Sequence, residues 1–160
     1  MSKKKTRKLP ENLARRHRAR KRLMQALYQW QLNHAPAHDI IEQFMLEQDM
    51  NKVDVPYFQQ NFRQIVEQAD ELRAHFSRHL GRNARDVGVV ENAILLLATH
   101  ELKNHPDTPK AVILNEAIEL AKEYGGEGAH SFINGVLDKT ARDLRQDSSA
   151  NHANSHGPAD

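Results

Sequence analysis

The chain has 160 residues, no cysteine and 39% hydrophobic residues. That is enough for one domain with a true core, and it leaves no thiol for a disulfide framework or a thiolate metal site. The net charge of +2 conceals an asymmetry: the first 22 residues hold eleven of the 23 Lys and Arg against one acid, Glu11, a net of +10, while the other 138 residues are net −8. The longest fully apolar run, Ala93 to Ala98, is far short of a membrane span, and no apolar stretch follows the basic start to make a secretory signal.

Residues 1–12, with Pro10 as a breaker, read as a mobile basic arm. A first helix is predicted from about Leu13 to Leu32, with Leu23, Leu27 and Trp30 on one stripe. Its head carries Arg15, Arg16, Arg18, Arg20, Lys21 and Arg22 around the axis. Asn33 to Ala37, with Pro36, breaks the chain, and a second helix runs from about His38 to Glu47 through Ile40, Ile41, Phe44 and Met45. After a loop over Asp49–Val55, Pro56 suits the first position of a third helix using Phe58, Phe62, Ile65, Val66 and Ala69. A break precedes its continuation through Leu72, Phe76 and Leu80, which Gly81 ends.

Asp86 is read as the cap of the next helix, which is apolar nearly all round at Val90, Ile94, Leu97, Ala98 and Leu102 and so belongs at the centre of a bundle. Pro106 stops it. Thr108-Pro109 reads as a hydroxyl cap and a first-position proline for a helix burying Ile113, Ala117, Leu120 and Tyr124. Gly125 is expected to end that helix in a left-handed conformation. A last helix, about Ala129 to Arg145, offers Phe132, Val136, Leu137, Ala141 and Leu144. From Asp147 the chain is polar and small and reads as a disordered tail over 147–160. The fold class is all-α, a compact bundle of about seven helices over 13–146.

Catalytic and metal-binding patterns do not assemble. His75 and His79 have the i, i+4 spacing of metal ligands, but only Glu71 could add to them, so a surface pair is the better reading. His100-Glu101 is followed by His105 rather than a histidine at i+4, which defeats the zinc-protease geometry. Gly125-Gly126-Glu127-Gly128 follows a helix and lacks a Lys-Ser/Thr pair, unlike a phosphate loop. The chain reads as non-catalytic, with no cofactor and no metal.

The basic head points to a polyanion. Arginine's planar fork suits phosphate and keeps its charge. Cations at a helix N-terminus oppose its dipole at roughly 0.3–1 kcal/mol each, so the head is expected to fray when free and order when bound. Arginine-rich segments with aromatic rings are typical of RNA recognition, and Tyr28 follows on the same helix as a stacking ring or a core residue.

Four stretches resemble the NusB family of bacterial transcription antitermination factors. They are ARRHRARKRLMQALYQWQL from Ala14 to Leu32, EQFMLEQDMNKVDVPYF from Glu42 to Phe58, NEAIELAK from Asn115 to Lys122 and FINGVLDK from Phe132 to Lys139. The resemblance implies two packed helical sub-bundles and binding to the boxA element of ribosomal RNA leader transcripts. It implies a ribosomal-protein partner, NusE, and action with the other Nus factors on RNA polymerase against Rho-dependent termination in the cytoplasm. It carries Arg16, Arg18 and Arg20 over as phosphate contacts within the Arg15–Arg22 head, Tyr28 and Phe132 as RNA contacts, and Glu91 as a protein contact. Asn134 and Gly135 carry over as structural, with Gly135 allowing close helix approach. The chain departs from the family at His17, which interrupts the arginines, and at Gly128, where an acid is usual.

Other classes are the RNA-binding module of a ribosomal RNA methyltransferase, a nonspecific nucleic-acid-binding protein and a protein-only scaffold. Replacing Arg16, Arg18 and Arg20 by Ala is expected to weaken RNA binding and flatten its salt dependence, with little effect on melting.

Overall fold

The computed structural model describes residues 10–156, with side chains from Pro10 to Arg145. Among these residues there are seven α-helices and no strand: α1 Glu11–Asn33, α2 Ala37–Glu47, α3 Val55–Glu67, α4 Ala69–Ser77, α5 Val89–Asn104, α6 Lys110–Tyr124 and α7 Ala129–His156. They divide into two compact units, with the boundary between Gln64 and Ile65 near the end of α3.

The first unit is built on the predicted stripe. Leu23 and Leu27 of α1, Ile40 and Phe44 of α2, and Phe58 and Phe62 of α3 are all buried. The Phe58 ring lies 5.7 Å from that of Phe44 and stacks 6.3 Å from that of Phe62. Burial stabilises each such side chain by about 1.5–3 kcal/mol, and each ring pair adds about 0.5–1.5 kcal/mol. The α1–α2 turn is made by His34 in the left-handed region (φ 54°), whose N–H closes onto the Trp30 carbonyl at 2.8 Å.

In the second unit α5 is central, with α4, α6 and α7 packed on it. The run from Ala93 to Leu102 is buried at every position, including the polar Thr99, His100 and Glu101. Burial holds the His100 imidazole down at about 4, with the neighbouring His105 and Lys103 charges adding to it. Arg145 of α7 ties down the end of α5, donating to the carbonyls of Leu102 (3.1 Å), His105 (2.9 Å) and Thr108 (2.7 Å). Those carbonyls at and beyond the last turn have no helical partner of their own.

Several boundaries differ from the sequence reading for physical reasons. The arm expected over 1–12 gives way to helix at Glu11, whose carboxylate complements both the helix N-terminus and Arg15, 3.6 Å away; residues 1–9 lie outside the described residues. Helix α7 runs to His156, with no proline or glycine between Gly135 and Gly157 to stop it; the tail read over 147–160 falls on this end, where the side chains past Arg145 and residues 157–160 lie outside the described residues. Asp86 sits in a 3₁₀ turn, Ala84–Asp86, capped by Asn83, and Gly88 is the cap of α5. Pro109 itself, rather than Thr108, is the cap of α6. Gly125 is extended (φ −88°) and needed for space, because a Cβ there would sit 2.6 Å from the Ala129 Cβ. The left-handed position in that turn is Gly128, at φ 81°. Gly135 makes no close approach, since a Cβ there would meet nothing within 4 Å. Asn134 is exposed and forms no hydrogen bond among the described residues.

Candidate nucleic-acid interface

The arginines of α1 are sorted by helical phase. Arg15, Arg18 and Arg22 stand at i, i+3 and i+7 and share one stripe, and Arg16 and Arg20 form a second at i, i+4. The first stripe faces the loop between α2 and α3. Arg15 donates to the carbonyls of Asn51 (3.4 Å) and Val53 (3.2 Å), Arg18 to that of Lys52 (2.8 Å) and Arg22 to that of Asp49 (3.1 Å).

The loop is shaped to receive them. Asp49 Oδ1 accepts the Asn51 N–H at 3.0 Å, Met50 and Val53 are buried, and the Asp54 N–H donates back to the Arg15 carbonyl at 3.1 Å. Asp54 Oδ1 then accepts the Tyr57 N–H at 3.2 Å, satisfying a donor in the first turn of α3.

The second stripe lies over Tyr57. The Arg16 guanidinium is 4.2 Å from the ring centroid and 3.6 Å from Asp54 Oδ2, and the Arg20 guanidinium is 5.8 Å from the same centroid. Arg20 is only 4% exposed. The surface phosphate contact expected there gives way to a buried position, because the i+4 step from Arg16 carries it over the packed end of α3. Arg15 and Arg16 keep side chains 38% exposed.

The head is helical from Glu11, and the repulsion behind the expected fraying is opposed in part within the protein. Carbonyl dipoles and the Asp54 carboxylate supply the negative potential that a polyanion was expected to bring. Tyr28 resolves to the exposed alternative at 40%. It shares a solvent-facing stripe with Lys21 and His17, seven and eleven residues earlier.

The remaining two candidates belong to the second unit. Phe132 stands in the first turn of α7, half-buried, with its N–H donating to the Gly128 carbonyl at 3.1 Å. The Arg82 guanidinium lies over its ring, 4.1 Å from the centroid. Glu91, in the first turn of α5, folds its carboxylate over the capping Gly88, where any Cβ would collide with it. An acid in that position complements the helix N-terminus.

Of the histidine pair, His79 bonds Asp143 at 2.6 Å. That bond, reinforced by the charges of His79, Arg78 and His75, holds the Asp143 carboxyl below its ordinary range despite some burial. Among the described residues no group of three His, Asp or Glu could hold a metal ion, and no helix is long and apolar enough to cross a membrane. Sequence reasoning missed Arg82; its only signal was a pair of arginines, Arg82 and Arg85, in the break after Gly81.

The sequence model of the NusB family matches residues 17–142. The chain is 46% identical over 132 residues to the transcription antitermination protein NusB of Psychromonas ingrahamii, a match covering 82% of this chain and 91% of that protein. Among solved structures, NusB of T. maritima superposes with a TM-score of 0.71 at 30% identity, covering 85% of this chain and 93% of that one. A complex of the antitermination factors NusB and NusE with double-stranded RNA contains a chain with a TM-score of 0.71 at 24% identity, covering 79% of this chain and 96% of that one, a likeness of fold. With a family match over most of its length and relatives this similar, the chain belongs to the NusB family.

Proposed function

We propose that this chain is a non-catalytic antitermination factor. It binds boxA of nascent ribosomal RNA leader transcripts jointly with NusE and, through the other Nus factors and RNA polymerase, suppresses Rho-dependent termination in the cytoplasm. The observation that carries the reading is α1 itself: part-exposed Arg15, Arg16, Arg18 and Arg22 on one rigid helix with the exposed Tyr28 ring. Family membership and the NusB relative solved with NusE and double-stranded RNA support it.

In this reading Arg15, Arg16, Arg18 and Arg22 pair with phosphates, and Tyr28 stacks on an unpaired base. Arg20 serves indirectly, packed with Arg16 on Tyr57. Phe132 is a further RNA contact, and Glu91 meets a basic surface of NusE. The test is a competition of boxA RNA, a scrambled RNA and duplex DNA for the full chain, with and without NusE. Preference for boxA that tightens with NusE is expected; equal affinity for all three rejects the reading.

A further inference from the structure

Arg82 differs from the arginines of α1. It is exposed, and among the described residues it forms no hydrogen bond or ion pair; its guanidinium lies over the ring of Phe132. Gly81, left-handed at φ 67°, turns the chain after α4 and so delivers Arg82 to that ring. A guanidinium has two faces and five rim donors. Here the guanidinium carbon lies over the Phe132 ring, the residue is exposed, and the rim makes no hydrogen bond among the described residues.

We propose, building on the RNA reading above, that Arg82 and Phe132 form a two-layer platform on which one unpaired base of a single-stranded RNA stacks against the guanidinium, so that the Phe132 contact with RNA is made through Arg82. Arg82 is then the base-contacting residue and Phe132 its positioning residue. A guanidinium plane is weakly hydrated and accepts a base face-on, and its rim donors remain free for the flanking phosphate. The ring already orders the long Arg82 side chain, so less freedom is lost when the base arrives.

Gly135 adds an independent observation. It lies one turn after Phe132 on α7, exposed, with open space where a Cβ would be. Helical side chains lean towards the N-terminus, so a large residue at 135 would lie back across Phe132. Its absence keeps that flank open. A base inside a duplex has both faces covered, so the platform takes single strands only.

The probe is a short single-stranded RNA carrying one 2-aminopurine, bound to the full chain, with fluorescence quenching reporting the stack. Wild type is expected to quench. R82A and F132A should lose the quenching and bind about tenfold weaker, in line with the loss of one stacked base. R82K should keep the salt dependence of wild type and still lose the quenching. G135L should melt no lower than wild type, because glycine is a poor helix former, yet bind more weakly.

If R82A and R82K match wild type while R16A/R18A weakens binding, the platform is overturned and the RNA reading stands. If R82A weakens binding with quenching intact, Arg82 is only a charge and the platform is overturned. If R82A affects NusE binding alone, the surface belongs to a protein partner and the platform is again overturned. Wild type with no affinity for any RNA overturns both readings together.

Discussion

Two arginine-bearing regions of this molecule have opposite economies. On α1, Arg15, Arg18 and Arg22 donate to carbonyls of the 49–53 segment, and Arg16 rests on Tyr57 beside Asp54. After α4, Arg82 has an aromatic face and no polar partner among the described residues. The first region has most of the charge, with part of each guanidinium rim already engaged, and the second has a rim with no hydrogen bond among the described residues. Density of charge along a sequence therefore measures potential rather than availability. A phosphate reaching α1 meets guanidinium groups already shared with carbonyls, whereas one reaching Arg82 finds its hydrogen bonds unmade.

The sharpest way to break the comparison is to remove the surface on which the α1 arginines rest. Tyr57 is buried, with Arg16 and Arg20 over its ring. Y57A is expected to cost about 3–5 kcal/mol in urea unfolding, as for other buried aromatic truncations. A cost below about 1 kcal/mol would mean that the arginine stripe stands without it, and α1 would then resemble Arg82 more than it differs.

Acid separates the two units on another axis. His100 in α5 is buried, and burial holds its pKa down at about 4, against 6.5 for the ordinary group. Above about pH 6.5 neither the folded nor the unfolded chain protonates it, and its contribution to stability is complete. As the pH falls, the unfolded chain takes up a proton that the folded chain refuses, until the folded form also protonates near pH 4. The loss across that window is about 3 kcal/mol. H100Q should flatten the dependence in unfolding measured from pH 7 to pH 4. Arginines do not titrate in that range, so amide exchange should rise in α5 while the Arg–carbonyl bonds of α1 hold. Equal acid sensitivity in wild type and H100Q would remove His100 as the cause.

The triple change of Arg16, Arg18 and Arg20 to Ala now carries a different expectation from the one its sequence suggested. Those residues looked like a solvated cationic head whose loss would spare melting. With a carbonyl bond, an ion pair and two ring contacts at stake, the change should cost roughly 2 kcal/mol, or about 4–8 °C for a chain of this length. It should also flatten the salt dependence of RNA binding by about 0.7 per lost single-strand phosphate contact. An unchanged melting temperature with a flatter slope would restore the picture of a free head.

That reversal marks what the sequence could and could not convey. Periodicity located every helix, because apolar spacing at 3.6 residues is a property of the chain itself: Leu23 and Leu27, Phe58 and Phe62, and the Ala93–Leu102 run were all legible. Helix ends were less so, because a cap is settled by competition among neighbours. Gly88, crowded by Glu91, takes the role read for Asp86, which lies instead in a 3₁₀ turn capped by Asn83. At the site, the residue types were legible and their partners were not. The loop at 49–54 offers backbone carbonyls to the arginines, and a carbonyl has no letter in the sequence. Arg82 was invisible for the complementary reason: its meaning depends on a ring fifty residues later.

The smallest expected effect on stability is the most discriminating. R82A removes one exposed cation–π contact, so its cost should stay within about 0.5–1 kcal/mol, below the triple change on α1. The two variants then differ in kind. On α1, lost binding and lost stability should move together, because the same guanidinium groups serve both. At Arg82 they should separate, with binding falling while melting is nearly unmoved. A residue whose replacement leaves the fold intact, and whose donors meet nothing among the described residues, is available to something outside the chain. If R82A instead costs as much stability as the α1 triple, Arg82 is a structural clasp of α7 and the contrast between the two regions disappears.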